Sequence, residues 1–188
     1  MRVLKVVLSL ALVAAPGLCA QQTANPVVSS AQEIVTRQAA YILAAAEEMP
    51  ADKYGYHPTA DQWTFGKIVA HVVQANFGVC AMLTPAVEGQ APVAAPKVAE
   101  TDPKPALTAA LKASFDRCDA VLAHLQDSQL GDPIIYFGGA HKVRARALVE
   151  LTDDLEDHYS QMASYLRLNG MLPPSAAKPK PPAAPTAH

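Results

Sequence analysis

Aromatic residues make up only 6% of this chain, with a single tryptophan, and charged residues only 17%. Sheet faces are built largely from aromatic and β-branched side chains, so a chain poor in rings and rich in alanine does not read as a β-sandwich or barrel. Alanine has the highest helix propensity and favours closely packed helices instead. Positive charge is also in short supply. The formal net charge is −2, and the first 20 residues hold Arg2 and Lys5 but no acid. Without those two cations, 13 basic residues face 17 acidic ones, a charge of −4. That balance argues against nucleic acid or an anionic membrane as a partner. Gly138-Gly139 lacks the Lys-Ser/Thr that would make it a phosphate loop. A Gly-x-Ser-x-Gly nucleophile elbow and a solenoid-type repeat are likewise missing from the sequence.

A chain of 188 residues is enough for one domain with a real core and is short for two. The N-terminus carries a distinct signal. Arg2 and Lys5 precede an apolar run over 6–13, and Pro16-Gly17 breaks that run before Leu18-Cys19-Ala20. This is the layout of a secretory signal peptide over residues 1–20, cleaved after Ala20. The run falls short of the ~20 residues that cross a bilayer, and Leu18 does not suit a lipidated Cys19. With no second segment read as a span, the expected mature protein is exported, periplasmic or extracellular, and free of a membrane anchor. Cleavage leaves Cys80 and Cys118 as its only cysteines, and an oxidising compartment would allow them to pair. Two free buried thiols acting as small hydrophobes are the alternative.

Helical periodicity recurs four times. The first stretch opens near Ser29-Ser30, where Ser30 and Glu33 fit a capping box, and ends at Met49-Pro50. Thr64 caps the second, whose inward row is Phe65, Ile68, Val72, Ala75, Val79 and Met82. Residues 84–103, rich in Pro and Ala, read as a long surface loop. Asp102-Pro103 then offers a cap and first-turn proline to the third helix, with Leu107, Leu111, Phe115, Cys118, Leu122 and Leu125 inward. Residues 134–139 form a short β-like run closed by glycines. The fourth helix spans about 143–169, with Leu148, Leu151, Leu155, His158, Met162 and Tyr165 along one seam, and Asn169-Gly170 stops it. Residues 175–188, mostly Pro, Ala and Lys without periodicity, read as a disordered tail. The fold class expected is an all-α four-helix bundle with a short β-like segment before its last helix.

His158 stands in an apolar seam, where an imidazole needs a partner. Asp154 lies one helical turn earlier on the same side. His71 flanks the inward row of the second helix, so two facing helices could gather His71, Asp154 and His158. Two imidazoles and one carboxylate suit Zn²⁺, Ni²⁺ or Fe²⁺ with open coordination positions. Taken alone, the spacing fits a plainer reading better: one core histidine donating a hydrogen bond beside a solvated acidic face of Asp153, Asp154, Glu156 and Asp157. His57, His124 and His141 have no ligand partner at helical spacing and read as surface or loop residues. Arg144, Arg146 and Arg167 read as surface cations.

The stretch from Trp63 through Thr64-Phe65-Gly66-Lys67 to His71, followed by Asn76, resembles the second-helix signature of the DinB-like superfamily of metalloenzymes. Asp157-His158-Tyr159, then Tyr165-Leu166-Arg167-Leu168-Asn169-Gly170 and Pro173-Pro174, resembles that family's fourth-helix ending. The resemblance covers residues 26–174 and implies an up-down four-helix bundle. The family's usual metal site takes one histidine from the second helix and two, one turn apart, from the fourth. His71 and His158 match two of these positions, while Asp154 stands where the third histidine is usual, an acceptable ligand that alters the site.

Two functions follow as expectations. One is a metal-dependent enzyme with a small-molecule substrate, by hydrolase or transferase chemistry. Some relatives use a low-molecular-weight thiol, and export from the reducing cytosol speaks against that version. The other is a non-catalytic module of the cell envelope that holds a small ligand or a metal. A homodimer is left open by the sequence.

Overall fold

A computed structural model of the chain describes residues 24–84 and 94–177. The expected signal peptide, the middle of the long loop and residues 178–188 lie outside the described residues. Four helices carry the fold: α1 (Pro26–Glu48), α2 (Phe65–Leu83), α3 (Lys104–Leu122) and α4 (Arg144–Leu168). Helix α1 packs on α3 and α4, and α2 packs on the same two. The order around the bundle is therefore α1, α3, α2, α4, with α1 and α2 on one diagonal. Helix α2 therefore shares one face with α4 and another with α3.

The core is the set of stripes expected from periodicity. Leu107, Leu111, Phe115, Cys118, Leu122 and Leu125 are buried, as are Leu148, Leu151, Leu155, Met162 and Tyr165. Helix α2 is buried on more than the one row expected, adding Val69, Val73, Cys80 and Leu83 to it, while Ala75 and Met82 are half-buried. This follows from its place between α3 and α4. By length and hydropathy alone α2 is apolar enough to cross a bilayer. Here it is the core helix of the bundle, and it carries the buried Asn76, whose amide donates to Ser114 Oγ at 3.0 Å.

Two helix starts differ from the sequence expectation. Helix α1 begins at Pro26, upstream of Ser30, and Ser30 Oγ donates instead to the Pro26 carbonyl. The cap comes from a distant residue: the Asp127 carboxylate accepts from Val27 N at 3.0 Å and Val28 N at 2.9 Å. Asn25 Oδ1 accepts in turn from Asp127 N. Removing this cap in Asp127→Ala should cost about 1 kcal/mol in urea denaturation, whereas Ser30→Ala should stay within ~0.5 kcal/mol. Equal effects of the two would mean that Asp127 does not cap. At α3, Asp102 accepts from Ala99 N and shapes the preceding turn, and Pro103 itself stands at the cap position. Thr64 caps α2 as expected, accepting from Lys67 N at 3.0 Å.

The β-like run is one arm of a hairpin. Pro133–Ile135 pairs antiparallel with His141–Val143, with Ile134 opposite Lys142. The sequence reading left His141 as a surface or loop residue and gave Val143 to the start of α4, because a three-residue strand of His, Lys and Val carries too little pattern. Arg144, read as a surface cation, is buried at 5% exposure. It holds the hairpin base by donating to Asp132 Oδ2 at 2.7 Å and the Gln129 carbonyl at 3.2 Å. Asn169-Gly170 closes α4 as expected: Gly170 adopts φ 74°, and Met171 N donates back to the Leu166 carbonyl at 2.9 Å.

Cys80 on α2 and Cys118 on α3 are fully buried, with sulfurs at bonding distance and Cα atoms 5.5 Å apart. The adjacency of α2 and α3 brings them together.

Candidate metal centre

The α2–α4 face gathers the three residues singled out from the sequence. His71 Nε2 lies 3.2 Å from Asp154 Oδ1, and His158 Nε2 lies 3.3 Å from the same oxygen. One donor atom from each residue falls within 4.8 Å of the others. Asp154 thus faces both histidines rather than solvent, and the plainer reading of an outward acid beside a lone core histidine does not describe the site. Two donors each ~2.1 Å from a common ion stand roughly 3.0–3.4 Å apart, so the spacing of each imidazole nitrogen from Asp154 suits a shared cation. The donor set, two nitrogens and one oxygen, suits Zn²⁺, Ni²⁺ or Fe²⁺.

The surroundings grade from dry to wet. The His158 side chain is 8% exposed, that of Asp154 18% and that of His71 37%, so the site opens to solvent on the His71 side. Trp63 forms its roof. Its ring lies nearly parallel to His158, 16° apart with centroids at 5.8 Å, and 5.0 Å from the His71 ring. Three contacts fix the tryptophan: the Thr64 cap that follows it, Tyr165 Oη donating to its carbonyl at 2.9 Å, and the Lys67 ammonium 4.8 Å above its ring. Sequence reading took Trp63 as part of a motif and missed it as a wall of the site, since a residue before a helix cap has no periodicity to assign it a face. Beside this roof lies an open cleft of about 490 Å³, bordered by Trp63, Asp157, His158, Gln161 and Tyr165.

The acids that flank His158 in sequence do not give its second ring nitrogen a hydrogen-bond acceptor. Asp157 Oδ2 stands 4.0 Å from His158 Nδ1, beyond hydrogen-bond reach, and accepts instead from Gln161 Nε2 at 2.8 Å. Glu156 points away to Arg37. His158 Nδ1 is buried with no partner among the described residues. His57, His124 and His141 are exposed and apart from this group, as expected.

Burial would raise the Asp154 carboxyl, but hydrogen bonds from His158 and His71, together with their charge, outweigh it and bring it down from 3.8 to about 2. A carboxyl depressed in the folded state contributes stability above its unfolded value, and that contribution is lost as pH falls from about 4 to about 2. The metal-free protein should therefore lose about 2 kcal/mol over that interval in urea titrations, and Asp154→Asn should lack this loss. Parallel curves for the two proteins would show that Asp154 is not held as an anion.

A helical bundle with a mixed histidine–carboxylate cluster between two of its helices defines the class. Residues 34–162 match the family model of the DinB superfamily, well over half of the chain, and the protein belongs to that superfamily. Solved structures agree on the fold. A DinB-like protein from Bacillus cereus aligns at TM-score 0.61 with 16% identity, covering 78% of this chain and 95% of that one. One from Bacillus subtilis aligns at 0.57 with 15% identity, covering 75% and 92%. A mycothiol-dependent maleylpyruvate isomerase aligns at 0.59 with 14% identity over 72% of this chain, which spans only 60% of that protein's length. These identities speak for the fold alone. No curated protein matches the sequence.

Proposed function

We propose that this protein is an exported metal-dependent enzyme that acts on a small molecule, with His71, Asp154 and His158 holding one divalent ion. The observation that carries the reading is the convergence of two imidazole nitrogens from α2 and α4 on a single Asp154 oxygen, at 3.2 and 3.3 Å. An ion held there would supply Lewis acidity, polarising a substrate carbonyl or acidifying a bound water. The protein's own residues do the rest. His158 and Asp154 form the dry side, and His71 forms the edge open to a ligand. Trp63 and Tyr165 offer an aromatic wall for an apolar part of the substrate, and Gln161 and Asp157 offer polar atoms to orient it.

Similarity in fold to a mycothiol-dependent isomerase supports a small-molecule substrate. Export, supported by two cysteines at disulfide distance, removes the chain from the cytosolic pool of low-molecular-weight thiols and favours hydrolysis over thiol transfer. The test is a panel of chromogenic esters, amides and lactones with protein reloaded with Zn²⁺, Ni²⁺ or Fe²⁺. Hydrolysis that disappears with chelator and in His158→Ala is the expected result. Tight metal binding with no turnover across the panel would leave a metal-holding envelope module instead.

A further inference from the structure

On its other face, α2 forms a second open groove, against α3, with a volume of about 410 Å³, within the range of small-molecule sites. Its walls are largely apolar: Phe77 from α2, and Ala113, Ala120 and Val121 from α3, with Thr84 at the end of α2. Its one charged side chain is Arg117. Arg117 stands on α3 and His124 just past the end of that helix, and no acid borders the groove among the described residues. The nearest acid in sequence, Asp116, is tied to Lys112 at 2.6 Å.

Arg117 is the unusual group. Its guanidinium carbon lies 5.9 Å from the Phe77 ring centroid. Its Nε is buried without a hydrogen-bond partner, and it joins no ion pair among the described residues. A half-buried guanidinium beside an aromatic ring, with no anion on it among the described residues, offers donors that a ligand carboxylate would pair with. Cys80 and Cys118 join the two helices that form its walls. The groove is therefore a largely apolar trough with a cation in its side that no described residue answers.

We propose that this α2–α3 groove binds a small amphipathic monoanion, a carboxylate with an unbranched apolar tail, with the carboxylate on Arg117 and the tail over Phe77, Ala120 and Val121. This site is separate from the histidine cluster on the α2–α4 face and does not depend on a metal there.

Octanoate and its uncharged counterpart 1-octanol are suitable probes, titrated by calorimetry into the disulfide-intact protein. Saturable 1:1 binding of octanoate is expected, with 1-octanol weaker by at least about 10-fold, the low end for a hydrogen bond to a charged group. Arg117→Gln should erase the difference between the two probes, and His158→Ala should leave both affinities unchanged. Ala120→Trp, at an exposed position that fills the trough, should abolish binding of both; circular dichroism and thermal melts confirm that each variant is folded. No saturable octanoate binding to the wild type would overturn the proposal. Equal affinity for the two probes, or octanoate binding that survives Ala120→Trp, would overturn it equally.

Discussion

His158→Ala should lower affinity for Zn²⁺ or Ni²⁺ by more than ~100-fold. Losing an outer partner of a ligand already costs roughly 10- to 100-fold, and here one of three direct donors disappears. His158 is the most buried of the three, and its nitrogen has the most restricted position, between Trp63 on one side and Asp154 on the other. Trp63 provides the readout. It is the only tryptophan in the chain, its ring lies against both imidazoles, and its fluorescence should change on metal addition in the wild type and stay flat in the variant. Asp154→His, which installs the donor usual in the family, should keep binding and shift preference toward softer ions, since a carboxylate favours harder ones. Calorimetry that finds equal affinity in wild type and His158→Ala would remove His158 from the ligand set and with it the proposed enzyme.

The sequence makes these three residues legible for a physical reason. Asp154 and His158 sit at i and i+4, a spacing that helix geometry alone converts into proximity. His71 needs a tertiary fact, that α2 packs on α4, and the periodic pattern does not contain it. The ring order α1, α3, α2, α4 depends on how three long connections cross the ends of the bundle, and such connections carry no hydrophobic period. The resemblance to a family supplied that adjacency where periodicity could not. Contacts made by irregular segments stayed hidden for the same reason. Asp127 caps a helix a hundred residues upstream, Trp63 roofs the site from a loop, and Arg144 ties down a hairpin whose second strand is three residues long. Buried stripes were legible because burial repeats along a helix. A cap or a roof is a single event.

Helix α2 joins the two sites in this protein. One face presents His71 to α4, and another presents Cys80 to α3. A helix with core on most of its circumference cannot rotate to satisfy one neighbour without disturbing the other, because packed interiors transmit displacement. Fixing α2 against α3 therefore also fixes the angle at which His71 meets Asp154.

Loss of the Cys80–Cys118 bond should be the largest single effect on stability. A cross-link between residues 38 apart in sequence removes loop-closure entropy from the unfolded chain, about 4 kcal/mol in the chain-entropy model. Against the ~5–15 kcal/mol that separates folded from unfolded in a typical domain, that is a large share. The comparison should use Cys80→Ala/Cys118→Ala rather than reduction alone, because both sulfurs are fully buried and a reductant reaches the bond only after opening. The paired variant should show a midpoint of thermal unfolding lower by roughly 10 °C or more. It should also bind metal more weakly than the wild type, since α2 would no longer be pinned and His71 would drift relative to Asp154. Native protein from the envelope fraction gives the complementary measurement: its mass spectrum should begin near Gln21 and show no alkylatable thiol without reduction. Two alkylated cysteines in freshly isolated protein, or an intact Met1 on a cytosolic product, would remove the bond and the export that permits it.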